Sequence, residues 1–92
     1  MIHSFACPDT EALFYSRAVP RFKNIERVAR HKLLQLQAAT ELASLRIPPG
    51  NPLEALKGDR LGQYSIRIND QWRLCFKWQD DGARDIEIVD HH

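Results

Sequence analysis

The sequence predicts an α+β fold in which two N-terminal helices pack on one face of a small twisted antiparallel β-sheet. Two patterns in the 92-residue chain support this prediction. In the first half, apolar residues recur at the three- and four-residue spacing of an amphipathic helix. In the second half, apolar and polar residues alternate, as in strands with one buried face. A chain of this length has room for one domain, residues 1–92, with one modest core.

The N-terminal region favours a short strand followed by a short helix. Residues 2–7 are suited to a strand, and the run Pro8-Asp9-Thr10-Glu11 favours the start of a helix. Asp9 or Thr10 can cap the free amides at this end. We expect this first helix to end near Arg17.

A longer second helix is expected after the loop at Pro20, with Asn24 as its cap. Its apolar face must pack on the sheet and comprises Ile25, Val28, Ala29, Leu33, Leu36 and Ala39. The other side is basic and carries Arg27, Arg30, His31 and Lys32, with Arg21 and Lys23 before the helix. The proline-rich segment 48–52 cannot continue any helix.

The second half predicts a hairpin with one apolar face. Its apolar residues are Tyr64, Ile66 and Ile68 on one strand and Trp72, Leu74, Phe76 and Trp78 on the next. A two-residue loop would mix the faces, so a loop of odd length such as Asn69-Asp70-Gln71 is required. This register pairs Ile68 with Trp72.

The same register places Arg67 directly opposite Arg73, about 5 Å apart at Cβ, where like charges destabilise a sheet unless something compensates. Two explanations remain open. The pair can bind an anion such as phosphate, which suits the planar fork of arginine. Alternatively, Asp85 or Glu87 neutralises it from a last strand that a second hairpin through Asp80-Asp81-Gly82 brings alongside.

The last strand ends on Asp90-His91-His92, groups that can exchange protons near neutral pH. With the arginines, they could supply the base, cations and acid that phosphodiester cleavage requires. Strict alternation puts His91 on the face of Arg73 but Asp90 and His92 on the other face. A bulge or twist at the strand end would be needed to unite them. A solvated polar tail is the alternative.

Composition excludes several classes of function. A net charge of +1 rules out a broadly basic nucleic-acid-binding surface. The sequence has no signal-peptide features and no apolar run near the roughly 20 residues of a membrane span, so we expect a cytoplasmic protein. Cys7 and Cys75 form no CxxC pair, so we expect reduced packing residues, no metal site and no cofactor. The segment around Lys57-Gly58 reads as a loop and is not a phosphate-binding loop of the nucleotide-hydrolase type.

Several segments together resemble the HigB family of toxin–antitoxin toxins. They are Leu56-Lys57-Gly58-Asp59-Arg60, Tyr64-Ser65-Ile66-Arg67, Asn69-Asp70-Gln71-Trp72-Arg73-Leu74 and Val89-Asp90-His91-His92. With residues 1–5, the likeness covers nearly the whole chain. HigB belongs to the RelE/ParE superfamily. The resemblance therefore implies the RelE-like fold, with helices on one face of a twisted antiparallel sheet as in small microbial ribonucleases.

The resemblance also implies an activity and partners. It implies a toxin that enters the ribosomal A site, cuts messenger RNA and so inhibits translation and growth. A HigA-like helix-turn-helix antitoxin would hold it inactive, and operator DNA would be contacted only through that complex. By position, Lys57 and Arg73 match family residues that contact and stabilise the phosphate. Asp90 and His92 match residues placed at the scissile bond, so these four form the expected catalytic set.

Two positions depart from the family pattern. Glu54 stands where relatives can have a catalytic-site histidine, and His91 stands where they can have a tyrosine that stacks on or orients RNA. We expect Glu54, His91 and Arg67 to contact the substrate; a histidine ring can still stack on a base. On the long helix, the expected ribosome contacts are Arg27, Arg30 and Lys32. A solvated helix face is the alternative.

Two other functions remain open on the sequence. A ParE-like protein would inhibit DNA gyrase without being an enzyme, but a pure binding module has no reason to assemble Lys57, Arg73, Asp90 and His92. A growth inhibitor could instead bind the ribosome or its assembly factors without efficient cutting. The departures at Glu54 and His91 keep that reading open.

Overall fold

The computed structural model describes residues 1–46 and 53–90, and it confirms the α+β architecture. The helices are α1 (Pro8–Phe14) and α2 (Glu26–Ala38). The strands are β1 (Leu53–Ala55), β2 (Gln63–Arg67), β3 (Trp72–Gln79) and β4 (Gly82–Asp90). Short 3-10 turns cover Pro20–Ile25, Leu42–Arg46 and Gly58–Arg60. The strands form an antiparallel sheet in the order β1-β2-β3-β4.

The hydrophobic core lies between the two helices and one face of the sheet. Its buried side chains include Leu13 from α1, Ala29, Leu33 and Leu36 from α2, and Ile66, Leu74, Phe76, Ile86 and Ile88 from the strands. Alternate strand residues therefore point at the helices, as the period-two pattern predicts. In the two described stretches, no helix is long and apolar enough to cross a membrane.

The first helix begins differently from the prediction. Pro8 is its first residue, Cys7 precedes it, and no side chain caps the free amides. The predicted caps, Asp9 and Thr10, are wrong because proline is itself favoured in the first helical position, which leaves both residues inside the helix. The helix ends at Phe14, three residues before the predicted end.

The second helix also begins later than predicted, and one of its expected core residues is exposed. Asn24 does not cap it, because a 3-10 turn includes Asn24 and Ile25 and the helix starts at Glu26. Val28 is 45% exposed. The buried face is centred on Ala29, and adjacent helical residues lie about 100° apart around the axis, so Val28 falls beside that face.

The N-terminal segment runs parallel to the outer edge of β4. Bridges join Ile2 to Ala83 and Phe5 to Ile86. The predicted strand at residues 2–7 is therefore present only as isolated bridges. Beyond them, the buried Thr10 side chain continues the attachment, since its Oγ1 accepts a hydrogen bond from the backbone N–H of Ile88 at 3.0 Å. These contacts fix β4 near its C-terminal end.

We expect Thr10→Val to lower the free energy of unfolding by about 1–3 kcal/mol, because the buried amide of Ile88 loses its acceptor. Chemical denaturation of the purified protein measures this difference. Thr40→Val is the matched control, since Thr40 is exposed and surface substitutions usually change stability by no more than about 0.5 kcal/mol. Equal stabilities for the two variants would contradict a net contribution from this hydrogen bond.

The β2–β3 hairpin confirms the predicted register. Arg67 lies opposite Arg73, and the amide of Ile68 donates to the carbonyl oxygen of Trp72 at 3.0 Å. In the three-residue loop, the Asn69 side-chain oxygen accepts hydrogen bonds from the amides of Gln71 and Trp72. Asparagine commonly stabilises turns in this way.

The β3–β4 hairpin turns at Asp80 and Asp81, as predicted. Both residues have positive φ values, 53° and 58°, as a two-residue type I′ turn requires. Farther along, the pairing shifts by one residue between Cys75 and Lys77, and Asp85 has a φ of 51°. This bulge lies in the middle of β4, not at its end. Beyond it, the predicted alternation continues.

Two predictions about loops have different outcomes. The segment Leu53–Gly62, expected to be a loop, contains β1 and a 3-10 turn. Three paired residues are too few for alternation to be visible in the sequence. The predictions for the proline-rich segment 48–52 and for His91 and His92 lie outside the described residues.

Candidate active site

A row of polar side chains crosses the sheet on the face turned away from the helices. Glu54 of β1 lies opposite Ser65 of β2, Ser65 lies opposite Cys75 of β3, and Cys75 lies opposite Glu87 of β4. The row alternates with the core residues of each strand, so it belongs to the outer face. Ser65 and Cys75 are only 3% exposed. This face therefore has a covered floor of small polar groups.

A cleft of about 270 Å³ opens over this floor. Its lining combines two arginines and two carboxylates with small or apolar residues: Arg60, Arg73, Glu54, Asp90, Ser65, Cys75, Leu56 and Val89. The residues come from all four strands and from the 3-10 turn after β1. The sheet register thus brings together Arg73, Asp90 and Glu54, three of the residues that the sequence singled out.

Arg73 contributes an uncompensated positive charge to the cleft. It makes no ion pair with any part of the chain that the structure describes, whereas Arg67 across the ladder pairs with Asp70 in the hairpin loop. The predicted alternative, neutralisation of the pair by Asp85 or Glu87, is wrong. Asp85 pairs with Lys77 at 3.3 Å, and Glu87 pairs with another arginine. The guanidinium of Arg73 is therefore available to an anion.

Asp90 reaches the cleft although its strand position is opposite Trp72, on the side that alternation predicts to face away from Arg73. It is the last residue of β4 and is exposed. Gln71 of the hairpin loop donates a hydrogen bond to Asp90 Oδ2 at 3.2 Å. Asp90 and Arg73 thus line the same cleft, while the bulge lies farther back in the ladder, between the residues paired with Cys75 and Lys77.

Arg60 lines the cleft, although no pattern in the sequence predicts a role for it. Its Nη1 donates to Glu87 Oε1 at 2.8 Å and to Gln63 Oε1 at 3.1 Å. The hydrogen bond to Glu87 raises the pKa of Arg60. Since arginine is already charged at neutral pH, the group stays cationic. No periodicity could have found it, because its placement depends on the turn at Gly58, whose φ is 64°.

Burial raises the pKa of the Cys75 thiol, with a smaller contribution from Glu87, while the positive charges of Arg60 and Arg73 act against the rise. The thiol is therefore neutral at neutral pH, so it is a packing group and not a nucleophile. This agrees with the prediction of reduced cysteines, since both Cys75 and the half-buried Cys7 are free.

The alternation of strand residues could have predicted Ser65 and Cys75 beneath the cleft, since they share the face of Arg67 and Arg73.

Two predicted site residues lie outside the cleft. Lys57 is exposed just before the 3-10 turn, next in sequence to Leu56 of the lining. Arg67 is exposed and held by Asp70. Their roles stay predictions, as do those of His91 and His92. Across residues 1–46 and 53–90, no three histidine, cysteine or acidic side chains lie close enough together to hold a metal ion.

On the long helix, the three basic residues differ in their surroundings. Arg27 is exposed, and Lys32 is half-buried. Arg30 is engaged within the fold, since its Nε donates to the carbonyl oxygen of Leu13 at 2.9 Å and its Nη2 to that of Arg17 at 3.0 Å. Arg30 therefore attaches α2 to the end of α1, and its predicted ribosome contact stays a prediction.

Comparison with known proteins assigns the chain to a family. The model of the RelE-like toxin of type II toxin–antitoxin system HigB matches residues 15–92. Toxin HigB-1 of Vibrio cholerae serotype O1 is 43% identical over 75 residues, covering 82% of this chain and 77% of that protein. Endoribonuclease HigB of Proteus vulgaris is 30% identical over 95 aligned positions, covering 100% of both chains.

Solved structures agree on the fold. A chain of the heterotetrameric YoeB-YefM toxin–antitoxin complex from Staphylococcus aureus matches with a TM-score of 0.61 at 22% identity, covering 100% of this chain and 98% of that chain. A second YoeB-YefM complex from the same organism gives a TM-score of 0.60. At this identity the likeness supports the fold alone. The family match and the two HigB relatives carry more, and the chain belongs to the HigB-like family of RelE-like toxins of type II toxin–antitoxin systems.

Proposed function

We propose that this protein is a ribosome-dependent endoribonuclease that cuts messenger RNA and thereby inhibits translation. The observation that carries the proposal is the cleft in which the unpaired Arg73 meets Glu54 and Asp90, in a chain of the HigB-like family. An arginine and carboxylates over one face of a sheet provide a cation for a phosphate and groups for proton transfer. The name of the Proteus vulgaris relative, an endoribonuclease, supports the same chemistry.

The proposed reaction needs no metal. A carboxylate of the cleft, Glu54 or Asp90, accepts the proton of the RNA 2′-hydroxyl while the 2′-oxygen forms a bond to the adjacent phosphorus. Arg73 stabilises the extra negative charge on the phosphorane oxygens. The bond from phosphorus to the 5′-oxygen then breaks, and an acid protonates the leaving oxygen. The products are a 2′,3′-cyclic phosphate and a 5′-hydroxyl.

The remaining assignments come from the family resemblance. We assign His92 as the acid at the leaving oxygen and Lys57 as an additional cation. His91 and Arg67 are assigned to contacts with the message. Asp90 is the cleft residue adjacent to this histidine pair, so it can orient or share the proton transfer.

The low net charge of the chain supports the proposed dependence on the ribosome. With a net charge of +1, the protein gains little affinity from counterion release on RNA. The ribosome would supply both the message and most of its positioning. Purified protein should accordingly leave naked RNA nearly uncut.

The proposed protein partner is a cognate antitoxin. Type II toxin–antitoxin membership supports a partner of this kind, and YoeB is found in complex with YefM. We propose a HigA-like helix-turn-helix antitoxin, with operator DNA bound only through the complex. Co-expression with such an antitoxin should restore growth.

Mapping the 5′ ends of cellular messages after brief induction of the toxin tests the proposed activity. We expect new 5′-hydroxyl ends at in-frame positions inside translated regions. Blocking translation initiation should remove them, because cleavage would require a ribosome on the message. Uncut messages together with inhibited gyrase would instead indicate the non-enzymatic, ParE-like function.

A ribosome contact through α2 gives a separate prediction. We expect Arg27→Glu to weaken binding to ribosomes about tenfold. The number of counterions released on binding, read from its salt dependence, should fall by about one to two. Sedimentation with ribosomes at several salt concentrations measures both. Arg84→Glu, the same charge reversal on β4, is the control. Equal binding by both variants would remove this helix face from the proposed ribosome interface.

A further inference from the structure

Arg60 lines the cleft with only one of its three guanidinium nitrogens engaged. Nη1 makes both hydrogen bonds, to Glu87 and to Gln63. Within the described stretches, Nε and Nη2 have no hydrogen-bond acceptor. The side chain is 40% exposed. Arg60 therefore combines a fixed anchor with donors that a ligand in the cleft can use.

The anchor involves three separate parts of the fold. Arg60 ends the 3-10 turn after β1, Gln63 begins β2, and Glu87 lies in β4. The carboxylate of Glu87 accepts a hydrogen bond from Arg60 Nη1, so its charge acts directly on that side chain. A side chain held in this way loses less conformational freedom when it binds, which favours accurate positioning.

Arg60 and Arg73 both line the cleft, together with Cys75 of its floor. Both positive charges act on the buried thiol of Cys75, which lies in the floor between β2 and β4. A phosphate held by two guanidinium groups gains more donors, in better-defined directions, than a phosphate held by one. Neither the family resemblance nor the sequence pattern had assigned Arg60 a role.

We propose that Arg60 is a further cation, besides Arg73 and Lys57, that contacts the scissile phosphate of the bound RNA, and that Glu87 and Gln63 are positioning residues for it. This inference rests on the proposed endoribonuclease function. Arg60 would donate from Nε or Nη2 to a non-bridging phosphate oxygen. Because the ribosome sets most of the binding, its loss should lower the rate of cleavage more than the affinity.

Single-turnover cleavage on programmed ribosomes tests this proposal with the variants Arg60→Ala and Glu87→Gln. We expect Arg60→Ala to lower the rate constant about 10- to 100-fold, the usual range for a lost hydrogen bond to a charged group. The toxin concentration at half-saturation should stay nearly unchanged. Glu87→Gln keeps the shape of the anchor but removes its charge, so it should lower the rate by about threefold to tenfold.

Two further measurements separate positioning from a merely structural effect. If Glu87 acts through Arg60, the double variant should be no slower than Arg60→Ala alone. Millimolar guanidinium in solution should restore part of the activity of Arg60→Ala. Arg84→Ala is the matched control, because Arg84 is an arginine of 37% side-chain exposure with one carboxylate partner, Asp80, but lies outside the cleft.

The outcomes are distinguishable. Slow cleavage by Arg60→Ala at an unchanged melting temperature, with rescue by guanidinium, supports the proposal. Parent-like cleavage by Arg60→Ala, alongside a severe loss in Arg73→Ala, overturns the role of Arg60 and leaves the endoribonuclease function standing. If the parent protein leaves ribosome-bound message uncut, the endoribonuclease function fails and the role of Arg60 fails with it.

Discussion

Replacing Arg73 by alanine is expected to lower the rate of message cleavage by about 10²- to 10³-fold, the usual cost of removing one pre-aligned donor at a developing negative charge. Arg73 has no ion pair in the described residues and lines the cleft beside both carboxylates. No ion pair with the described residues therefore has to be broken before its guanidinium binds a phosphate. Growth arrest on induction and single-turnover cleavage on programmed ribosomes both measure the effect.

The same variant should remain folded. Arg73 lies opposite Arg67 in the ladder, and relief of a like-charged cross-strand pair should make Arg73→Ala more stable by about 0.2–1 kcal/mol. Pairing of Arg67 with Asp70 makes the lower end of that range the better expectation. A melting curve and antitoxin binding check the fold. If Arg73→Ala stays fully toxic, the cleft is not the site of cleavage.

The register of the sheet could be derived from sequence because only a loop of odd length, such as Asn69-Asp70-Gln71, keeps the apolar residues on a single face. The pairing of Arg67 with Arg73 follows directly from that constraint, and the structure confirms it. What neutralises Arg67 could not be derived in the same way. Asp70 lies in the loop, where the backbone direction is not periodic, so the more distant Asp85 and Glu87 were the natural candidates.

The content of the cleft was predictable only in part, for a similar reason. Residues on strands, such as Arg73 and Ser65, follow the alternation of the sheet. Arg60 and Glu54 depend instead on a 3-10 turn and a three-residue edge strand, which leave no pattern in the sequence. Asp90 lines the cleft at the end of β4, although strict alternation assigns it to the face away from Arg73.

Deleting His92 is expected to lower the single-turnover rate by about 10²- to 10⁴-fold, the usual contribution of a positioned proton-transfer group. Histidine is the residue whose charge most readily changes near neutral pH. An acid acts only in its protonated form, so the rate of the parent should fall on the alkaline side of neutrality. The deletion should remove this fall from the pH profile. Stability should change little, because the last fully core residue of β4 is Ile88.

Two matched variants make this assignment specific. Asp90→Asn keeps the size of a residue that lines the cleft and receives a hydrogen bond from Gln71, so its effect reports the loss of charge alone. It should slow cleavage less than the His92 deletion if Asp90 only orients the histidine, and as much if Asp90 shares the proton transfer. His91→Ala should be milder and should change which codons are cut. A His92 deletion that cleaves as fast as the parent across the pH range would overturn the assignment of His92 as the acid.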